Sequence, residues 1–152
     1  MDECIFCKII KGEMPCHKIW EDEKHLAFLS ILPNTEGFSV VTTKEHYPSD
    51  VLALPDDVLK EFIIAVKKVG KLLEEKLEDV GRAGVIFEGF GVDHVHAKLF
   101  PMHGTKGGWK PRKSNNVDKY FEKYEGYISS HDYHRRVDDQ KLAELAKKIS
   151  NN

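Results

Sequence analysis

A chain of 152 residues is the length of one domain and can bury a core without disulfide staples. Its 41% hydrophobic and 32% charged residues are ordinary for a soluble globular protein, and a formal net charge of −2 gives no global field for nucleic acid or a membrane surface. The acidic start Met1-Asp2-Glu3-Cys4 lacks the basic segment and apolar run of a secretory signal, and no stretch approaches the ~20 apolar residues of a membrane span, so a cytoplasmic protein with reduced cysteines is expected.

Cys4-Ile5-Phe6-Cys7 puts two thiols on one turn, a spacing shared by zinc sites and redox dithiols. A thioredoxin-like dithiol needs a strand before the motif, and position 4 leaves no room for one. Zinc therefore leads, provided two further ligands exist. Ile9, Ile10 and Gly12 predict a short helical turn. His17 to Asp22 reads as a strand and its turn, and Lys24 to Leu29 as the hairpin partner. Leu32-Pro33-Asn34-Thr35-Glu36-Gly37 is a turn cluster, and the β-branched stretch Phe38 to Thr43 after it is strand-like, ending at Lys44-Glu45-His46. Taken alone, His46 reads equally well as an exposed loop histidine.

Pro55-Asp56-Asp57 opens a long helix, with proline in the first turn and acids where the helix dipole favours them. Val58, Leu59, Phe62, Ile63, Val66, Val69, Leu72, Leu73 and Leu77 recur at helical spacing and form a face for a core or a partner. Gly70, inside that pattern, costs roughly 1 kcal/mol relative to alanine and marks a candidate point of close packing. Gly81 and Gly84 are expected to stop the helix, and Val85-Ile86-Phe87 to start the next strand.

Asp93-His94-Val95-His96-Ala97-Lys98-Leu99-Phe100-Pro101 alternates polar and apolar. As a strand it puts His94, His96 and Lys98 on one face, toward a cleft, and Val95, Ala97 and Leu99 on the other, toward a core. The approach, Glu88-Gly89-Phe90-Gly91-Val92, carries glycines of the kind that let a backbone come close to phosphate. A neutral imidazole is a competent nucleophile near pH 7, and amides beside it can hold the charge of a transferred phosphoryl group. Lys98 either lends a point charge to a phosphate oxygen or is a strand lysine reaching solvent.

These motifs together resemble the histidine triad family of nucleotide hydrolases and transferases, whose signature is His-x-His-x-His with apolar residues between. The resemblance implies an α+β fold, an antiparallel sheet of about five strands with one long helix and short helices, usually doubled into a homodimer. It implies that His96 is the nucleophile, forming a covalent nucleotidyl-histidine. The Pro-x-x-x-Gly turn, the following strand and the Lys-x-His ending match members with an N-terminal Cys-x-x-Cys. In those, a structural zinc is held by four ligands, here Cys4, Cys7, His46 and His94. The base pocket is expected from Phe6, Phe28, Leu29 and Ile31, and the phosphates at Gly89, Phe90 and Gly91. Ser30 stands where the family usually carries an Asp or Asn for the ribose. Lys98 replaces the third histidine, where transferase branches carry glutamine, and Phe90 and Gly91 replace a glutamine and a Ser or Thr.

The resemblance covers Cys4 to Pro101, so residues 1–103 are expected to form the family domain and 104–152 a tail with a terminal helix packed on it. His103 is either an aid to the leaving group or an ordinary loop histidine. Trp109 falls where some members send a tail tryptophan toward the partner subunit's site. From Asp118 to Tyr127, the residues Tyr120, Phe121, Tyr124 and Tyr127 recur at near-helical spacing, as a stripe docked on the domain or as a stacking platform. His131, His134, Arg135 and Arg136 form a basic knot, and Asp138 caps a last helix from Gln140 to Ile149. The leading function is hydrolysis of dinucleoside polyphosphates or nucleoside phosphoramidates, with a nucleotide as partner and no specific nucleic acid. A nucleotidyltransferase or phosphorylase, and a zinc-stabilised binding module without turnover, stay open.

Overall fold

The computed structural model describes residues 4–114, 119–128, 132 and 134–150. Five strands, β1 (His17–Glu21), β2 (His25–Leu29), β3 (Ser39–Thr43), β4 (Ala83–Ile86) and β5 (His96–Pro101), form one sheet in the order β1-β2-β3-β5-β4. Every neighbouring pair is antiparallel. Around it lie α1 (Ile5–Ile10), the long α2 (Asp56–Lys76) and α3 (Asp139–Ser150). The α+β expectation, with five strands and one long helix, is met. No helix among the described residues is long and apolar enough to cross a membrane.

The first hairpin is made by Asp22, whose Oδ1 accepts from the Lys24 and His25 amides at 2.9 and 2.7 Å. Strands β2 and β3 are buried on both faces, so each of their side chains meets one of two apolar layers. Ala27, Leu29, Val41, Ala97 and Leu99 face the main core, which Phe62, Val66, Val69 and Leu73 of α2 and Leu142, Ala146 and Ile149 of α3 complete. Leu26, Phe28 and Val40 face the other way and are covered by Phe6 of α1. His96 pairs with Thr42, and Lys98 with Val40, so both sit on this second face.

Several boundaries differ from the sequence reading. Helix α2 ends at Lys76, well before Gly81, because Leu77 and Val80 turn inward to bury in the main core; Gly84 lies within β4. Ile63, assigned to the apolar face, is exposed, as is Ile64. Gly70 sits on the contact between α2 and the sheet, but a Cβ there would lie 3.9 Å from Ala83 and Leu99, so alanine would fit. Strand β5 begins at His96, since the Val95 amide bonds the Tyr47 carbonyl at 2.9 Å instead of a strand neighbour. Residues 119–128 contain no helix; Phe121, Tyr124 and Tyr127 cluster by ring contacts, with Phe121 and Tyr127 stacked at 4.3 Å. Asp118 and His131 lie outside the described residues. Asp138 does cap α3, accepting from the Gln140 and Lys141 amides at 3.0 and 3.3 Å.

Candidate functional site

The N-terminal turn and two loops converge beside β5. Cys4 is the N-cap of α1 and Cys7 lies in its first turn; His46 follows β3, and His94 stands just before β5. His94 Nδ1 lies 3.4 Å from Cys4 Sγ and 3.6 Å from Cys7 Sγ, and His46 Nδ1 lies 3.4 Å from Cys7 Sγ. A tetrahedral ion with bonds of ~2.0–2.3 Å sets its ligands about 3.3–3.8 Å apart, so these spacings fit one such ion. The fit extends to the tautomer. His94 Nε2 faces the Thr43 carbonyl at 2.8 Å; a carbonyl only accepts, so Nε2 carries the proton and the Nδ1 lone pair turns to the sulfurs. Burial, then the neighbouring Cys4, raise the Cys7 pKa, a proton grip that a bound cation would loosen. All four ligands expected from the sequence are thus brought together, their donor atoms within 4.8 Å of one another.

The same logic fixes His96. Its Nδ1 lies 2.7 Å from the His94 carbonyl and must donate, so in the neutral ring the lone pair is on Nε2. The ring is buried and meets Phe6 edge-on, centroids 5.1 Å apart. Phe6 in turn meets Phe28 edge-on at 5.5 Å, so nucleophile and two expected pocket residues are contiguous. Leu29 is not among them: neighbouring strand residues point to opposite faces, and Leu29 packs in the main core behind the sheet. Ile31, past the end of β2, is exposed. The Ser30 hydroxyl is buried and accepts from the Leu32 amide at 3.1 Å, shaping the turn.

The glycine loop is pinned at both ends. Asp93 Oδ1 accepts from the Ser49 amide at 2.9 Å. Gly89 has φ +77°, and a Cβ there would lie 2.9 Å from the Ser49 carbonyl, so only glycine allows this approach. Gly91 has open space around it, and Phe90 is 82% exposed. Lys98 does not reach solvent. Its side chain is 3% exposed and its Nζ lies 2.6 Å from Glu88 Oε2, a carboxylate itself 5% exposed. Sequence reasoning missed Glu88 as a partner. The signal was present in alternation: Ile86 stands opposite Lys98, and Glu88, two residues on, returns to the same face.

His103 lies in a different place. Its Nδ1 is 2.9 Å from Asp79 Oδ1 and its Nε2 2.7 Å from the Glu36 carbonyl, so both nitrogens are held in a staple between loops. The Glu36 carbonyl first, and then Asp79, raise its pKa against the effect of burial. His103 in turn holds the Asp79 carboxyl below its usual range. A raised histidine stabilises fully below its unfolded pKa and loses that as pH rises through the folded value; a depressed carboxylate stabilises above its unfolded pKa. The gap in melting temperature between wild type and His103→Gln will therefore be widest near pH 5 to 6 and shrink by pH 9. A gap independent of pH across that range would refute the staple. Trp109, in the following loop, is 73% exposed.

The HIT domain family model matches residues 11–105. An uncharacterised HIT-like protein of Methanocaldococcus jannaschii is 41% identical over 108 residues, 68% of this chain and 82% of that protein. An adenosine 5′-monophosphoramidase of Schizosaccharomyces pombe is 39% identical over 114 residues, 70% of this chain and 82% of the enzyme. Among solved structures, a Zn-bound histidine triad family protein from Mycobacterium smegmatis superposes with a TM-score of 0.65 at 20% identity, covering 98% of this chain and 91% of that one, a likeness of fold.

Proposed function

The chain belongs to the histidine triad family and is a hydrolase of that type, and from that premise we propose that it cleaves nucleoside phosphoramidates or dinucleoside polyphosphates through a covalent nucleotidyl-His96. The observation that carries the reading is the 2.7 Å contact from His96 Nδ1 to the His94 carbonyl. In the neutral ring it puts the lone pair on Nε2, the atom assigned to the attack. Nε2 forms a bond to the α-phosphorus as the bond to the leaving amine or phosphate breaks, and the leaving group departs with a proton from solvent. Water then attacks the same phosphorus, releasing the nucleoside monophosphate and restoring the imidazole.

Amides of Gly89 and Gly91, on either side of Phe90, and the Lys98 ammonium are assigned to the charge that develops on the phosphoryl oxygens; the Phe90 amide itself is committed to the Glu88 carboxylate. Phe6 and Phe28, with Ile31 at the rim, are assigned to the base, and Ser30 to the ribose. Cys4, Cys7, His46 and His94 are assigned to a zinc ion. Four protein ligands fill a tetrahedral zinc, so its contribution is to tie α1 to β5. The exposed Ile63 and Ile64 of α2 and Val85 on edge strand β4 are apolar surface of the kind a homodimer would cover.

Intact mass after an early quench tests the reading. Wild type incubated with a nucleoside phosphoramidate or a diadenosine polyphosphate will carry a nucleotide-sized adduct, and His96→Ala will not. Nucleotide binding with neither adduct nor turnover would sink the hydrolase and leave a binding module. Turnover that requires added phosphate or sugar phosphate would make it a transferase.

A further inference from the structure

The Glu88 carboxylate is a junction. Oε2 holds Lys98 Nζ at 2.6 Å, Oε1 accepts from the Tyr124 hydroxyl at 2.7 Å, and the Phe90 amide bonds the same group. Burial alone would raise the Glu88 pKa, but these donors outweigh it and the carboxyl is held below its usual range. Tyr124 is pushed up to about 12, by desolvation and by that carboxylate, so its hydroxyl stays a donor at neutral pH. The Tyr124 ring also meets Phe90 at 5.5 Å. One carboxylate therefore joins three segments: the glycine loop, the catalytic strand, and a C-terminal stretch beyond the 11–105 family match.

Lys98 stands two residues from His96 on the same face, about 7 Å along the strand. An ammonium on a four-carbon stem has many rotamers, unlike the imidazole expected at this third position. It has three N–H donors, and Glu88 takes one. The carboxylate thus fixes where the other two point, and Tyr124 fixes the carboxylate.

We propose that Glu88 and Tyr124 are positioning residues that aim the Lys98 ammonium at the transferred phosphoryl group, which makes the C-terminal segment a working part of the active site. The inference rests on the hydrolase reading above. Its test is the steady-state kinetics of wild type, Lys98→Gln, Glu88→Gln, Tyr124→Phe and the doubles on the Lys98→Gln background, with a nucleoside phosphoramidate as substrate. Glu88→Gln keeps the shape and removes the charge, and will lower kcat by about tenfold or more with KM within about twofold. Tyr124→Phe keeps the ring on Phe90 and will lower kcat by a few fold. On the Lys98→Gln background neither change will lower kcat further, because residues that act as a unit are not additive.

A purely structural role would instead lower kcat by the same factor with or without Lys98. That result, or a Glu88→Gln enzyme with wild-type kcat, overturns the inference while the hydrolase reading stands. A wild type inactive on every substrate overturns both. If Glu88→Gln fails to fold, Tyr124→Phe carries the same decision.

Discussion

His96→Ala will leave a folded protein without turnover, with kcat on a nucleoside phosphoramidate reduced by on the order of 10⁴ or more. Removal of a nucleophile in a covalent mechanism costs that much because the two easier steps revert to one difficult displacement by water. Stability will change far less. The imidazole is buried against Phe6, so its truncation leaves a small void and removes the bond to the His94 carbonyl, together about 1–3 kcal/mol. For a chain of this size that is a fall of several degrees in melting temperature. The void is also the right shape for imidazole. Millimolar imidazole added to His96→Ala is expected to restore part of the turnover, with the nucleotidyl group now on the small molecule and no adduct on the protein. A variant within tenfold of wild type would remove His96 from the chemistry.

Much of this site was legible because its residues announce themselves by spacing. Cys4 and Cys7 lie three apart on a turn, and His94 and His96 lie two apart where the chain enters β5. Local periodicity alone puts each pair on one side of its element. That the two pairs and His46 meet in space followed from the family signature, since no local rule brings residue 4 to residue 94. What could not be read was set by tertiary packing. Leu29 belongs to the main core because β2 is buried on both faces, which hides the usual polar and apolar alternation. Helix α2 ends at Lys76 because Leu77 and Val80 gain more by burial than by another turn, a choice that no glycine marks. His103 read either as an aid to the leaving group or as an ordinary loop histidine, and the partners that decide between them, Asp79 and Glu36, come from loops remote in sequence. Glu88 was overlooked for a different reason. A lysine on a buried face demands a counter-charge, and asking that question of Lys98 would have led to the carboxylate diagonal to it.

With zinc held by Cys4, Cys7, His46 and His94 as proposed, stripping it is expected to have the larger effect on the fold. Helix α1 is only six residues long, too short to persist alone, and its N-cap Cys4 makes no side-chain capping bond. What holds it is Phe6 packed on Leu26, Phe28 and Val40, together with whatever ties Cys4 and Cys7 to His46 and His94. A metal bound a thousandfold above its dissociation constant contributes about 4 kcal/mol, which for this size of chain is about 10 °C. Strong chelation, or Cys7→Ser, is therefore expected to lower the melting temperature by about that amount and to reduce the metal content from one ion per chain to none by elemental analysis. Activity will fall with it, since Phe6 is the contact between the helix and the His96 ring. Cys16→Ser is the control: that thiol lies at the edge of the same apolar layer but outside the cluster, so metal content will hold. The order of losses separates the two histidines. His96→Ala loses chemistry and keeps the metal, whereas His94→Ala loses the metal first and the chemistry as a consequence. Protein purified without metal, with a melting temperature indifferent to chelator, would leave the cluster as four side chains packed for shape alone.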